Sequence, residues 1–262
     1  MTAREVIDLL EKNLGIPWNG KGFRDTFKVG NPDLQVKGIA TTVMSTLAQI
    51  QRSHAAGMNL VISHEPTFWS DGDETKDILN DPTYQAKTEY CLKNDMVVWR
   101  FHDNWHARKP DMEGYATLRI LGLAPQNVAD YKGPQAVYIV EPTTLGELAG
   151  RVKQQMNIRT LRVVGDPGMK VSRIAAGVGS GMPSLSPDVD VAIGGEGIES
   201  DGAFDNTEYA RDATALGMPK GLIIMGHIVS EEPGMESCAE WLRTFVKDIP
   251  IEFIPAKEPF WA

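Results

Sequence analysis

The run Leu222-Ile223-Ile224-Met225-Gly226-His227-Ile228-Val229-Ser230-Glu231-Glu232 places four apolar residues before a glycine, then a histidine and a glutamate four residues apart. The apolar part is strand-sized and the glycine permits a tight turn, so the segment reads as a buried strand feeding the next helix. His227 and Glu231 then stand at the strand's C-terminal edge, where open α/β sheets hold ligands. Two other apolar runs end the same way: Leu60-Val61-Ile62-Ser63-His64-Glu65-Pro66, and Met96-Val97-Val98-Trp99-Arg100-Phe101-His102-Asp103-Asn104-Trp105-His106. Of the five histidines, four lie in these three strand ends, and only His54 lies elsewhere.

Outward from these stretches, strands alternate with helices along the chain. Residues 2–14 carry Val6, Leu9, Leu10 and Leu14 at helical spacing behind a capping Thr2, which predicts an amphipathic first helix. Residues 18–30 read as a connection of mixed polarity. A strand over 36–41, a helix carrying Leu47, Ile50, Gln51 and His54, and a strand over 58–63 form a β-α-β unit, which implies parallel strands and a right-handed crossover. The polar stretch 70–76 reads as an exposed loop. A helix over 83–93, a strand over 96–101 and a helix over 112–121 follow. After a shift at Ala124-Pro125-Gln126-Asn127 come strands at 136–140, 161–164, 174–178, 189–193 and 221–226, with helices at 145–156 and 207–216. A last helix carries Cys238, Leu242 and Phe245 inward, and a strand over 251–254 closes the chain. The pattern is that of α/β layers, helices covering mostly parallel sheets.

Composition narrows the function. The 262 residues are 42% hydrophobic and 23% charged, ordinary globular values, with net charge −9. A pI near 5.1 leaves no basic surplus to displace the counterions of a phosphate backbone, which argues against nucleic acid as a partner. Cys91 and Cys238 are too few for a disulfide framework, no secretory leader stands at the N-terminus, and no apolar run reaches the roughly 20 residues of a membrane span. The expectation is a soluble cytoplasmic protein acting on a small molecule.

Neutral imidazoles and carboxylates suit Zn, Mn, Fe or Ni, and more than four of them converging suggests two ions. We therefore expect His64, Glu65, His106, His227 and Glu231 to be ligands, with His102 and Asp103 as outer or alternate ligands. Three imidazoles and two carboxylates leave two divalent ions net positive, a setting for hydroxide and an anionic substrate. The expected chemistry is hydrolytic.

The segments VKGIATT, NLVISHEPTFW, RFHDNWH, AIGGEGIES and GLIIMGHIVSEE together resemble the NIF-three-like family, also called GTP cyclohydrolase I type 2 homologues. Of its usual motifs, G-H-x-x-x-E is complete in Gly226, His227 and Glu231. In HHP the second histidine is replaced by Glu65. In H-T-x-x-D the aspartate is replaced by His106, and Asp103 takes the threonine position. One histidine has become a carboxylate and one carboxylate a histidine, so the ligand tally is kept. Thr42 stands where the resemblance expects an aspartate. The resemblance implies two intertwined α/β lobes, here residues 1–125 with 221–262 and residues 126–220, in a ring-shaped homohexamer around a dinuclear centre. It implies a dinuclear metal-dependent hydrolase that acts through a metal-activated water on a small anionic or heterocyclic substrate. The alternative is a ring-shaped metal-binding scaffold or partner-docking protein without catalysis.

Other residues carry more ordinary readings. Glu196 is the candidate catalytic base or ligand-orienting group, against the plain alternative that it and Glu199 are helix N-terminal carboxylates. Gly177–Gly181 lacks the Lys-Ser/Thr of a phosphate-binding loop and reads as a tight strand-to-helix turn. Trp69 and Trp105 either wall a pocket or stack a base, or belong to the core. His54 reads as structural, and neither cysteine as a nucleophile.

Overall fold

The computed structural model describes residues 1–123, 128–130, 136–197 and 202–261, with backbone alone at 128–130 and 202–204. The expected boundary at 124–127 and Glu199 lie outside these residues. In chain order the elements are α1 (Ala3–Asn13), β1 (Phe27–Val29), β2 (Ile39–Thr42), α2 (Leu47–Ala55), β3 (Leu60–Ser63), α3 (Pro82–Lys93), β4 (Val97–Arg100), α4 (Asp103–Ala107), α5 (Met112–Ile120) and β5 (Val128–Asp130). They continue as β6 (Val137–Thr144), α6 (Leu145–Gln155), β7 (Arg162–Val164), β8 (Lys170–Ala176), β9 (Val191–Gly194), α7 (Gly202–Ala215), β10 (Gly221–Ile224), α8 (His227–Arg243) and β11 (Ile251–Phe253).

The chain forms two compact units: Met1–Glu113 with Glu232–Ala256, and Gly114–Glu231 with Lys257–Ala262. Two of the three breaks, 113/114 and 231/232, fall inside helices, α5 and α8, so no loop announces them. The bounds differ from those expected on two further points, the first being that Lys257–Ala262 falls in the second unit. β10, expected with the first lobe, lies in the second unit, because its backbone pairs with β9 and β7.

The first unit is a five-stranded sheet in the order β1-β4-β3-β2-β11. Its β2-β3, β3-β4 and β2-β11 ladders are parallel, and all four residues of β2, β3 and β4 are buried. Burial on both faces explains why β3 and β4 read as nearly continuous apolar runs without alternation. Between them α2 and α3 make the crossovers. α2 packs Ile50 against Ala40, Val61 and Val98, and α3 contributes Cys91 to the same cluster. α1 is started by a reciprocal box: Thr2 accepts from the Glu5 N–H at 3.2 Å and its own N–H donates to the Glu5 carboxylate at 2.8 Å. Such a cap stabilises a helix by about 1 kcal/mol. β1, within the connection expected at 18–30, pairs antiparallel with β4; three half-buried residues give no periodic signal.

The second unit is a six-stranded sheet in the order β5-β6-β8-β9-β10-β7. Its β8-β9 and β9-β10 ladders are parallel and the other three antiparallel. Over both sheets five of the nine ladders among the described residues are parallel, the surplus coming from the first unit. α6 buries Leu145, Leu148 and Val152 against Ile174, Val191 and Ile193 of this sheet. No helix among the described residues is long and apolar enough to cross a membrane.

Candidate metal centre

In the first unit three histidines come together. β3 and β4 run parallel with Ser63 opposite Arg100, so the residues that leave their C-terminal ends, His64 and His102, emerge side by side. The His64 and His102 rings stack at 4.5 Å between centroids. α4 brings His106 around, with its ring 4.8 Å from both others and steeply tilted. This five-residue helix is held at its start by Asp25, which accepts from the backbone N–H of His102, Asp103 and Asn104 at 2.5 to 3.1 Å.

Each ring is oriented through Nδ1. His64 faces the Phe101 carbonyl at 3.0 Å, His102 the Asp103 carboxylate at 2.8 Å, and His106 the Asp111 carboxylate at 3.0 Å. Carbonyls and carboxylates only accept, so Nδ1 carries the proton on all three and Nε2 presents a lone pair. One ring nitrogen from each histidine lies within 4.8 Å of the others, and His64 Nε2 stands 3.1 Å from His106 Nε2. Two imidazole lone pairs at that distance repel unless a proton or a cation lies between them. Burial holds His64 well below the ordinary imidazole range, with His102 and His106 lowering it further, and burial lowers His102 as well. Nitrogens bound to one zinc ion at roughly 2.0–2.1 Å sit about 3.3 Å apart at a tetrahedral angle. Imidazoles whose far nitrogen is tied to a carbonyl or carboxylate are the usual metal-binding form. The donor set therefore fits a divalent cation.

Glu65 lies beside this group. Its Oε1 is 3.9 Å from His102 Nε2, and its Oε2 is 3.3 Å from the fully buried Arg100 guanidinium. Asp103, expected as an outer or alternate ligand, sits behind His102 on the Nδ1 side. His102 itself stands level with His64 and His106. Sequence reasoning missed Asp111, and also Glu113, a fully buried carboxylate 3.6 Å from His64 Nδ1. Room for Glu113 comes from Gly234, where a Cβ would lie 1.8 Å from the carboxylate. It also missed Arg100, which the sequence did signal: an arginine inside the apolar run Met96–Phe101 is a buried charge and needs partners.

In the second unit His227 opens α8 and meets Glu231 one turn on, Nε2 to Oε2 at 3.1 Å, while Nδ1 faces Glu196 Oε1 at 2.7 Å. Glu196 thus orients His227. The Gly177–Gly181 stretch is not a turn into a helix: residues 177–190 reach β9 as irregular chain with two short turns. Its glycine serves a close approach. At Gly179, φ +59°, a Cβ would lie 2.0 Å from Glu231 Oε1 and 3.4 Å from His227 Nε2. Ser230 fixes the layer, accepting from Gly179 N–H at 2.9 Å and donating to the His227 carbonyl at 2.7 Å.

The remaining candidates separate. Trp105 is fully buried, packed among Phe101, Trp241 and Arg108. Trp69 is 56% exposed with φ +58°. His54 bonds the Tyr90 hydroxyl through Nδ1 at 2.9 Å. Cys91 and Cys238 are buried, and burial pushes Cys91 up to about 11 and Cys238 well above its usual value. Such thiols are poor nucleophiles.

Comparison with known proteins bears on the fold and the family. A Clostridium perfringens protein named GTP cyclohydrolase 1 type 2 homolog is 23% identical over 272 residues, which cover 98% of this chain and 97% of that protein. Among solved structures, a Bacillus cereus protein related to NIF3 superposes with a TM-score of 0.74 at 17% identity, covering 100% of this chain and 99% of its own. A Staphylococcus aureus protein does so with a TM-score of 0.73 at 18% identity, over the same shares. At these identities the likeness to the solved structures is one of fold. The sequence profile of Duf34/NIF3 (NGG1p interacting factor 3) matches residues 1–259, and the chain belongs to that family.

Proposed function

We propose that the protein is a dinuclear metal-dependent hydrolase of a small anionic or heterocyclic substrate. In this reading its ions are held by the histidine group of the first unit with Glu65, and by the His227–Glu231 pair of the second. The observation that carries the proposal is the shared orientation of His64, His102 and His106, each with Nδ1 tied back and Nε2 presented. Divalent cations bound there would supply Lewis acidity toward an anionic oxygen and a water acidic enough to ionise near neutral pH.

The chain's own residues divide the remaining work. Phe101, Asp103 and Asp111 keep the three imidazoles in one tautomer. Glu196 holds the Nδ1 proton of His227, and as a partly exposed carboxylate it is the group we assign to exchange protons with solvent. The name of the Clostridium perfringens relative fits a heterocyclic, anionic substrate class. From the family resemblance we further propose a homohexamer in the cytoplasm.

The test loads purified protein with Zn, Mn, Fe or Ni, counts metal per chain, and assays phosphoesters, nucleotides and cyclic amides. Turnover by protein with two equivalents bound, lost in both His64→Ala and His227→Ala, supports the reading. Bound metal without turnover of any class assigns the protein to the scaffold alternative, and absence of binding overturns the metal centre.

A further inference from the structure

The loop at residues 70–76, exposed by composition, carries a carboxylate that joins two arms reaching the histidine group. Asp71 is 57% exposed at its side chain, yet two arginines of the first unit converge on it. Arg24 grips it from one side, Nε to Oδ1 at 2.9 Å, with a second bond from Nη2 to Oδ2. The remaining Arg24 nitrogen, Nη1, reaches Asp103 Oδ1 at 3.2 Å, the same oxygen that receives the His102 Nδ1 proton at 2.8 Å. From the other side the buried Arg100 binds the Asp71 carbonyl at 2.5 Å and Oδ1 at 3.2 Å. Arg100 also reaches Glu65 Oε2 at 3.3 Å and the His64 carbonyl at 3.0 Å. One surface carboxylate thereby links two chains of contacts, Arg24–Asp103–His102 and Arg100–Glu65.

We propose that Asp71 is a positioning residue of the metal centre, locking Arg24 and Arg100 so that His102 keeps Nε2 forward and Glu65 offers a single oxygen, Oε1. The reason is geometric. A guanidinium bound on one side only can swing its planar fork, whereas one anchored at both ends fixes the carboxylate it holds. Glu65 needs such fixing because it stands where the resemblance expects a histidine. A carboxylate has two equivalent oxygens and rotates freely, and Arg100 occupies one of them. The arginines in turn hold the Asp71 carboxyl below the usual carboxylate range, Arg24 most strongly, so it is ionised throughout the neutral range.

This inference rests on the metal-binding reading, and its test keeps the two apart. Metal-free wild type, Asp71→Asn, Asp71→Glu and, as a control, Asp33→Asn are titrated with Co2+ and followed by visible absorption. Asp33 pairs with Arg4 in an exposed ion pair outside the two arms. Removing an outer hydrogen-bonding partner of a ligand lowers metal affinity 10- to 100-fold. Asp71 reaches Glu65 and His102 only through Arg100, Arg24 and Asp103. The expected result is therefore a loss at the low end of that range, about 10-fold, and an altered cobalt spectrum in Asp71→Asn, partial recovery in Asp71→Glu, and no change in Asp33→Asn. Adding Glu65→Gln to Asp71→Asn should cost less than the two single effects combined, because both act through one oxygen. Arg24→Gln, which cuts only the His102 arm, gives the same readout if Asp71→Asn folds poorly. Wild-type protein that binds Co2+ with an Asp71→Asn affinity within twofold and an unchanged spectrum overturns the role of Asp71 alone. Wild-type protein that takes up no Co2+ overturns the metal reading, and this inference with it.

Discussion

The two units present their histidines by different means. In the first, three imidazoles at the ends of β4 and β3 and on the short α4 are held from behind, by a backbone carbonyl and two carboxylates. His64 among them is wholly buried. In the second, one imidazole opens a helix, its partner carboxylate follows one turn later, and a glycine loop lies against both. The first arrangement depends on side chains reaching in from Asp103 and Asp111, the second on the absence of a side chain at Gly179. The geometry of a candidate donor is set by what stands behind it, and this can be a hydrogen bond or an empty Cβ position.

That contrast can be broken most severely at His64. His64→Ala should abolish tight binding at the histidine group while His227→Ala leaves it in place, read by metal count per chain after dialysis. Next is Gly179→Ala, which places a methyl 2.0 Å from Glu231 Oε1 at a left-handed φ. It should cost roughly 1–3 kcal/mol of stability from backbone strain alone and displace Glu231, measured by urea unfolding and metal titration. The same substitution at Gly150, with nothing within 4 Å, is the control.

A milder change sharpens the comparison. Asp111→Asn and Glu196→Gln each replace an acceptor on a histidine Nδ1 by a neutral group of the same shape. Each should weaken metal binding about 10- to 100-fold with little effect on thermal stability, since both carboxylates are about 40% exposed. Calorimetric metal titration checks this.

The smallest effect expected is in pH dependence. The His64 imidazole is kept neutral in the native protein, chiefly by burial, whereas the unfolded chain protonates near pH 6.5. Below that value the unfolded state binds more protons, so stability of the metal-free protein falls as pH drops through about 6.5 and is fully present above it. Burial lowers His102 in the same direction. Urea unfolding at pH 7.5 and 5.5 should show a smaller loss in His64→Gln than in wild type.

Much of the fold was legible because the three strand runs are long enough and apolar enough to exclude alternatives, and because turn glycines and caps mark the helices between them. The four histidines at strand ends were legible for the same reason: each follows an apolar run. What escaped were contacts between residues distant in the chain or too short in extent to show a period. β1 has three half-buried residues and α4 only five. Gly179 is unremarkable in a run of glycines until Glu231 is beside it. Asp71 reads as loop composition until two arginines close on it. The helix expected after Gly177–Gly181 is absent because that stretch is spent on the approach to His227 and Glu231.

Local patterns of apolarity and turn chemistry are enough to specify the α/β layering and the residue types gathered at strand ends. Only the tertiary structure decided which imidazole nitrogen points forward, which carboxylates stand behind the rings, and that β10 joins the second sheet. Those outcomes depend on strand register and on partners tens of residues away. A parallel ladder that sets Ser63 beside Arg100 is a property of two strands at once, and no single stretch of chain encodes it.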